Sequence, residues 1–372
     1  MNRTHFTSLA ALVVVLALFS SPTRAFAQEK ETIPVDPSTN RVVTSPWKAV
    51  TAGTTANLRG LHVVNDKVIW ASGTEGTVVT SSDGGKTWRQ VTIDDGKLDF
   101  RDIHGFDDGT AVAVSAGTPA RIYRTSNGGR TWKICGSKRG AFFDSIAFWD
   151  DRYGIVMSDP IDGKYWIAKT KDGGSTWNSV IDSKRPLAQT GEAGFAASGT
   201  NMCVVGDDTC YIGLGSASEG ESHSTSRILI SRNKGGTWKF GGSVPIARTA
   251  SSGIFSVLFA DADRGIAVGG DYKDPTNTES NYAVTEDGGR TWSTPSPRQP
   301  PSGFRSCVAS YRKGREVKVV AVGPNGTDTS TDLGHKWIRV SKKGFHAVDF
   351  SPSGKSGWAV GADGSVAKWV LR

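Results

Sequence analysis

The sequence is poor in the residues that build metal and redox centres. Its 372 residues hold four cysteines, six histidines and three methionines. No Cys-x-x-Cys occurs and the histidines are dispersed, so spacing reveals no metal site and no metal is expected. No Gly-x-Gly-x-x-Gly stands between a strand and a helix, so there is no dinucleotide fingerprint and no cofactor is expected. Lysine and arginine form no run, and the net charge of +8 is mild for this length, which argues against nucleic acid as a partner. The apolar stretch Ser8 to Phe19 is too short to cross a bilayer, so no membrane span is expected.

That stretch follows a short basic start, Arg3 and His5, and precedes Ala25-Phe26-Ala27, a small-x-small cleavage site. Residues 1–27 therefore read as a cleaved signal peptide, placing the chain in the periplasm or outside the cell. Residues 28–45, polar with Pro34 and Pro37, read as a linker, and 46–372 as one domain.

What the chain has in abundance is glycine (45) and tryptophan (12), which suits many short strands and turns. One signature recurs six times, first as Ser81-Ser82-Asp83-Gly84-Gly85-Lys86-Thr87-Trp88. The later copies centre on Asn127 with Trp132, Asp172 with Trp177, Asn233 with Trp238, Asp287 with Trp292, and a weaker Asp332 with Trp337. The Asp or Asn accepts hydrogen bonds from turn amides, the Gly pair supplies positive φ, and Thr-Trp restarts a strand. Turn chemistry explains every residue type, so the box staples a hairpin and performs no reaction. Each repeat adds an apolar strand before it, as in Leu58-Arg59-Gly60-Leu61 and Phe345-His346-Ala347-Val348. Seven such strands occur. The seventh repeat ends without a box, whereas Trp47 near the N-terminus has the strand that follows a box but no box before it.

These residues carry a resemblance. The S-x-D-x-G-x-T-W pattern resembles the Asp-box, or bacterial neuraminidase repeat, which implies boxes at the rim of β-propeller blades, away from the functional face. From about residue 46 to 372, the blade pattern resembles the photosystem II stability/assembly factor family and its bacterial relatives often labelled "oxidoreductase". The expected fold is all-β: a seven-bladed propeller of four-stranded blades, closed by pairing the N-terminal strand with the last blade. A six-bladed count would leave 345–371 unused.

The count suggests a site. The residue after the first apolar position of each inner strand is Arg59, Arg101, Asp144, Ala196, Phe255, Arg305 and His346, and pseudo-symmetry places these around the channel mouth. Three arginines and a histidine suit carboxylate or phosphate groups, or an acidic peptide. Long connections in blades 3 to 5 add Asp159, Lys164, Tyr165, Trp166, Asp271 and Tyr272 as candidate binding residues. If Gly206-Asp207 is a two-residue turn, Cys203 and Cys210 lie opposite each other and a disulfide is possible, while Cys135 and Cys307 read as lone buried thiols.

The expected function is a non-catalytic, monomeric scaffold or assembly factor that binds a protein or peptide with acidic groups. The alternative is a glycan-active or glycan-binding protein. That reading needs two carboxyl groups across a cleft, drawn from loop acids such as Asp159 and Asp271, beside an exposed aromatic platform from Tyr165, Trp166 or Tyr272. No catalytic residue is assigned: the sialidase Arg-Ile-Pro string has only Arg121-Ile122-Tyr123 as its nearest counterpart.

Overall fold

The computed structural model describes residues 45–370 and the backbone of 35–36 and 41–42, which pair antiparallel. The expected leader and most of the expected linker lie outside the described residues. Seven antiparallel sheets succeed one another as blades, and strand order follows the chain in all but the seventh. Blade 1 runs Leu58–Val63, Ile69–Gly73, Thr77–Ser81 and Arg89–Thr92; blade 2 begins at Asp99–Gly105, blade 3 at Phe143–Phe148 and blade 4 at Met202–Val205. Blades 5, 6 and 7 begin at Ser252–Phe259, Cys307–Lys313 and Ala347–Phe350. The fourth strand of blade 7 is Trp47–Val50, paired with Val366–Trp369 in the register Trp369 to Trp47. The expected closure and blade count are therefore present. Blade 5 is the thin one: its fourth strand shrinks to a single bridge, Val284 to Ser293. Pro295 and Pro297 follow, and neither can donate to a ladder.

The boxes form as their chemistry dictates. Asp83 accepts from the amides of Lys86 and Thr87 at 2.9 Å and from the Thr87 hydroxyl, while Ser81 Oγ accepts from the Gly85 amide at 2.9 Å. The same serine or threonine bond to the Gly amide four residues on recurs in the other five boxes. The core lies between blades. Trp358 of blade 7 is fully buried against Trp88 of blade 1, ring centroids 5.4 Å apart, and Trp47 packs edge-on against Trp369 at 4.7 Å.

Neighbouring blades are also latched at the channel, where the innermost strand has no further strand to satisfy its amides. Val63 donates to Asp349 Oδ2 (2.7 Å), Gly105 to His62 Nδ1 (3.0 Å) and Ile146 to Asp102 Oδ2 (2.9 Å). Val257 donates to the Thr200 carbonyl (2.9 Å), Val308 to Ser256 Oγ (3.0 Å) and Val348 to Cys307 Sγ (3.4 Å). In each case the acceptor belongs to the preceding blade. Six junctions are closed this way; among the described residues, no such bond joins the inner strands of blades 3 and 4.

Two expectations fail on register. The blade 4 inner strand is Met202–Val205, not Phe195 to Ser198. The turn after it spans three residues, pairing Cys203 with Tyr211 and Val204 with Cys210. The two thiols then point to opposite faces of the sheet, and all four cysteines are free. Cys307 is buried as expected, whereas Cys135 is only half-buried.

Candidate functional site

The inner strands carry a bulge near the channel mouth. In blades 1, 2, 3 and 5 the bulge residues are Arg59, Arg101, Asp144 and Phe255, as the sequence pattern implied. Blades 4 and 6 depart from it. Counting from the residue opposite the first box position, Cys307 pairs with Val322 as Gly60 pairs with Ser72, so Ser306 takes the ring position in blade 6. Arg305 falls one place back and turns inward. It is fully buried in an ion pair with Asp328, Nε to Oδ2 2.6 Å, and also donates to Asn325 Oδ1 (2.8 Å), Ser302 Oγ (2.7 Å) and the Phe304 carbonyl (2.6 Å). Every strong donor of this guanidinium is used, so Arg305 leaves the binding set. In blade 4 the same count puts Thr200, not Ala196, at the ring position.

The displaced segment fills the channel. Thr200 Oγ1 meets Ser256 Oγ of blade 5 at 2.6 Å and Cys307 Sγ of blade 6 at 3.4 Å, and Ser198 Oγ donates to the Ser306 carbonyl of blade 6 at 2.8 Å. A Cβ at Gly199 would stand 2.1 Å from the Asp102 carboxyl carbon of blade 2, and its φ is +75°. Residues 198–200 therefore touch blades 2, 5 and 6 and sit on the axis. The channel is plugged, and the mouth is a shallow dish rather than the open funnel that the ring of residues implied.

The dish has three sectors. Arg59 and Arg101 make the basic one. Arg101 pairs with Asp99 at 2.5 Å, lies 5.0 Å from the Phe142 ring centre and reaches the Ala196 carbonyl at 3.4 Å. Arg59 is half-buried yet has no ion pair or hydrogen bond among the described residues, and its Nε is buried without a partner. Burial and then repulsion from Arg101 lower its pKa to about 10, opposed by Asp99. His346 lies beside them, with Nδ1 3.0 Å from the Leu58 carbonyl; burial, then Arg59, pushes it down to about 4, so it is neutral at physiological pH. The acidic sector is Asp144, fully buried, and Asp159, which accepts from the Gly194 amide at 2.9 Å. Burial raises both carboxyls, Asp159 to about 7, and the charge of Asp159 raises Asp144 further. The aromatic sector is Phe195 stacked on Phe255 at 3.9 Å, with Tyr272 edge-on to both and Phe304 edge-on to Phe255. Phe195 was legible as an inner-strand residue but not as the partner of Phe255, because its segment leaves the sheet.

The long loops are more tightly built than a free recognition surface. Tyr165 is fully buried and offers no platform. Trp166 is half-buried, stacked on Phe143 at 5.4 Å. Lys164 pairs with Asp182. Asp271 holds its own turn through the Lys273 amide at 2.8 Å. Glu192 and Arg248 are buried and pin the blade 4 loop through Arg227 and Gln189. Depressions of about 440 and 550 Å³ lie elsewhere, between the boxes of blades 1 and 2 and at the closing seam. Neither contains a buried unpaired charge; the dish does.

Comparison with known proteins follows the same lines. Residues 39–139 match the model of the photosynthesis system II assembly factor YCF48 family. The chain resembles YCF48. Among solved structures, "YCF48 bound to D1 peptide" is 20% identical with a TM-score of 0.60, over 91% of this chain and 98% of that one. YCF48 from Cyanidioschyzon merolae is also 20% identical, with a TM-score of 0.53, over 88% of this chain and 99% of that one. At this identity the YCF48 structures speak to the fold. A comparison with curated protein sequences finds no match.

Proposed function

We propose that this chain is an exported, non-catalytic propeller that captures an acidic segment of a protein partner in the dish around Arg59. The observation that carries the reading is Arg59 itself. A half-buried guanidinium with no partner, beside a second arginine, is costly to keep unless something anionic meets it. Arg101, already tied to Asp99, orients the basic sector and shares the incoming charge. A carboxylate is the fitting guest, because the guanidinium fork matches it with two parallel bonds. The relative solved with a D1 peptide shows that a YCF48 protein of this fold binds a peptide. Export follows from reading residues 1–27 as a signal peptide.

The test is fluorescence anisotropy with a labelled Asp/Glu-rich peptide against its Asn/Gln counterpart, on wild type, Arg59→Ala and Arg101→Ala. The expected result is binding of the acidic peptide alone, weakened roughly 10- to 100-fold by Arg59→Ala, the size of one charge-assisted contact. Equal affinity of wild type and Arg59→Ala would sink the reading.

A further inference from the structure

Blades 3 and 4 meet differently from the other six pairs. Elsewhere an acceptor on one inner strand takes an amide of the next: Asp102 to Ile146, Ser256 to Val308, Cys307 to Val348. At the blade 3–blade 4 junction the side chain in the corresponding place is Ser145, and its buried hydroxyl has no partner. Three more oxygens at the same place are stranded. Both carboxyl oxygens of Asp144 are buried without a hydrogen-bond partner, and so is Asn201 Oδ1; Asp144, Ser145 and Asn201 are all fully buried.

These groups converge. A Cβ built on Gly194 would lie 3.0 Å from the Asp144 carboxyl carbon and 3.0 Å from the Asn201 amide nitrogen, with the Met157 methyl at 2.8 Å walling the same spot. The Gly194 amide itself donates to Asp159 Oδ1 at 2.9 Å, which brings the second carboxyl to the same spot. Two carboxylates, an amide carbonyl and a hydroxyl make an all-oxygen donor set. When Asp144 is ionised, it and the Asn201 carbonyl can only accept, and one water supplies two hydrogens for their three oxygens. The nearest cation, Arg101, gives its hydrogen bonds to Asp99 and the Ala196 carbonyl and reaches neither carboxyl. Hard cations satisfy such a set, and calcium accepts irregular oxygen geometry better than magnesium.

We infer that the inner end of the junction between blades 3 and 4 binds a divalent oxygen-seeking cation of the calcium type through Asp144, Asp159, Asn201 and Ser145. The ion takes the place of the missing latch. It ties blade 3 to the segment that plugs the channel, since Asp159 already holds Gly194 at the head of that segment. The donors lie at 144, 145, 159 and 201, and no short spacing announces them.

The test uses the whole chain stripped with EDTA, followed by calorimetric titration and thermal melting with calcium chloride and, separately, magnesium chloride. The expected result is one bound calcium per chain and a rise in melting temperature of roughly 5 °C at a hundredfold excess over its dissociation constant. Magnesium is expected to be weaker. Asp144→Asn abolishes the calcium response while remaining folded in EDTA, Asn201→Asp retains it, and Arg59→Ala retains it, separating this site from the basic sector of the dish. Absence of heat and of any melting shift in the wild type overturns the inference. So does an unchanged calcium response in Asp144→Asn.

Discussion

Arg59 and Arg305 occupy nearly identical sequence settings, Leu-Arg-Gly and Phe-Arg-Ser, each at the start of an inner strand. They end in opposite states. Arg305 is fully buried and saturated by Asp328, Asn325 and Ser302, whereas Arg59 is half-buried and bonds to nothing among the described residues. A saturated guanidinium holds a blade together; an unsaturated one is poised for a ligand. The difference comes from a one-residue shift in strand register, which a motif cannot report.

Truncating the two arginines should separate the two roles, with the largest effect expected at Arg305. Arg305→Ala leaves Asp328 buried without its counter-charge and should remove about 3–5 kcal/mol of stability in urea unfolding. Arg59→Ala should change stability by about 0.5 kcal/mol or less while weakening peptide capture roughly 10- to 100-fold. Equal loss from both would erase the distinction. The plug is tested next. Gly199→Ala places a methyl against Asp102 in a left-handed backbone, and a loss of about 1–3 kcal/mol is expected, with peptide binding disturbed through Ala196 and Arg101. A silent Gly199→Ala would mean the segment leaves the axis freely.

The latches add a pH signature. His62 accepts the Gly105 amide and is stacked on His104 at 4.2 Å. Burial pushes His62 down from 6.5 to about 4. A depressed histidine contributes stability that is present above pH 6.5 and is lost as pH falls towards 4. Asp349 and Asp102 act in the other direction: burial raises them from 3.8 to about 7 and about 8, so their contribution is full below pH 3.8 and is lost as pH rises from there to those values. His62→Asn keeps an acceptor for Gly105 but cannot titrate, so it should flatten the acid-side fall measured by denaturation at pH 4 to 7. An unchanged profile would place the titration elsewhere. A single box should matter little and only to stability. Ser81→Ala removes one of six repeated staples and should cost about 1 kcal/mol, with no effect on binding at the far rim.

The sequence by itself determined the blade count, the closure through Trp47 and the place of every box. Those features rest on turn glycines, side chain to amide bonds within eight residues, and tryptophans repeated at near-constant spacing, all of which are local. Arg59, Arg101, Asp144 and Phe255 fall at the inner-strand bulge in their blades because those strands keep one common register. Tertiary structure alone decided the rest. It buried Arg305 and Tyr165, kept Cys203 and Cys210 on opposite faces of a hairpin, and sent residues 198–200 across the channel. It also left the oxygens of Asp144 and Asn201 without partners. Each of those outcomes depends on which groups from distant repeats meet at a seam or on the axis. Such meetings follow from register and inserted length summed around a closed ring, so no single repeat records them.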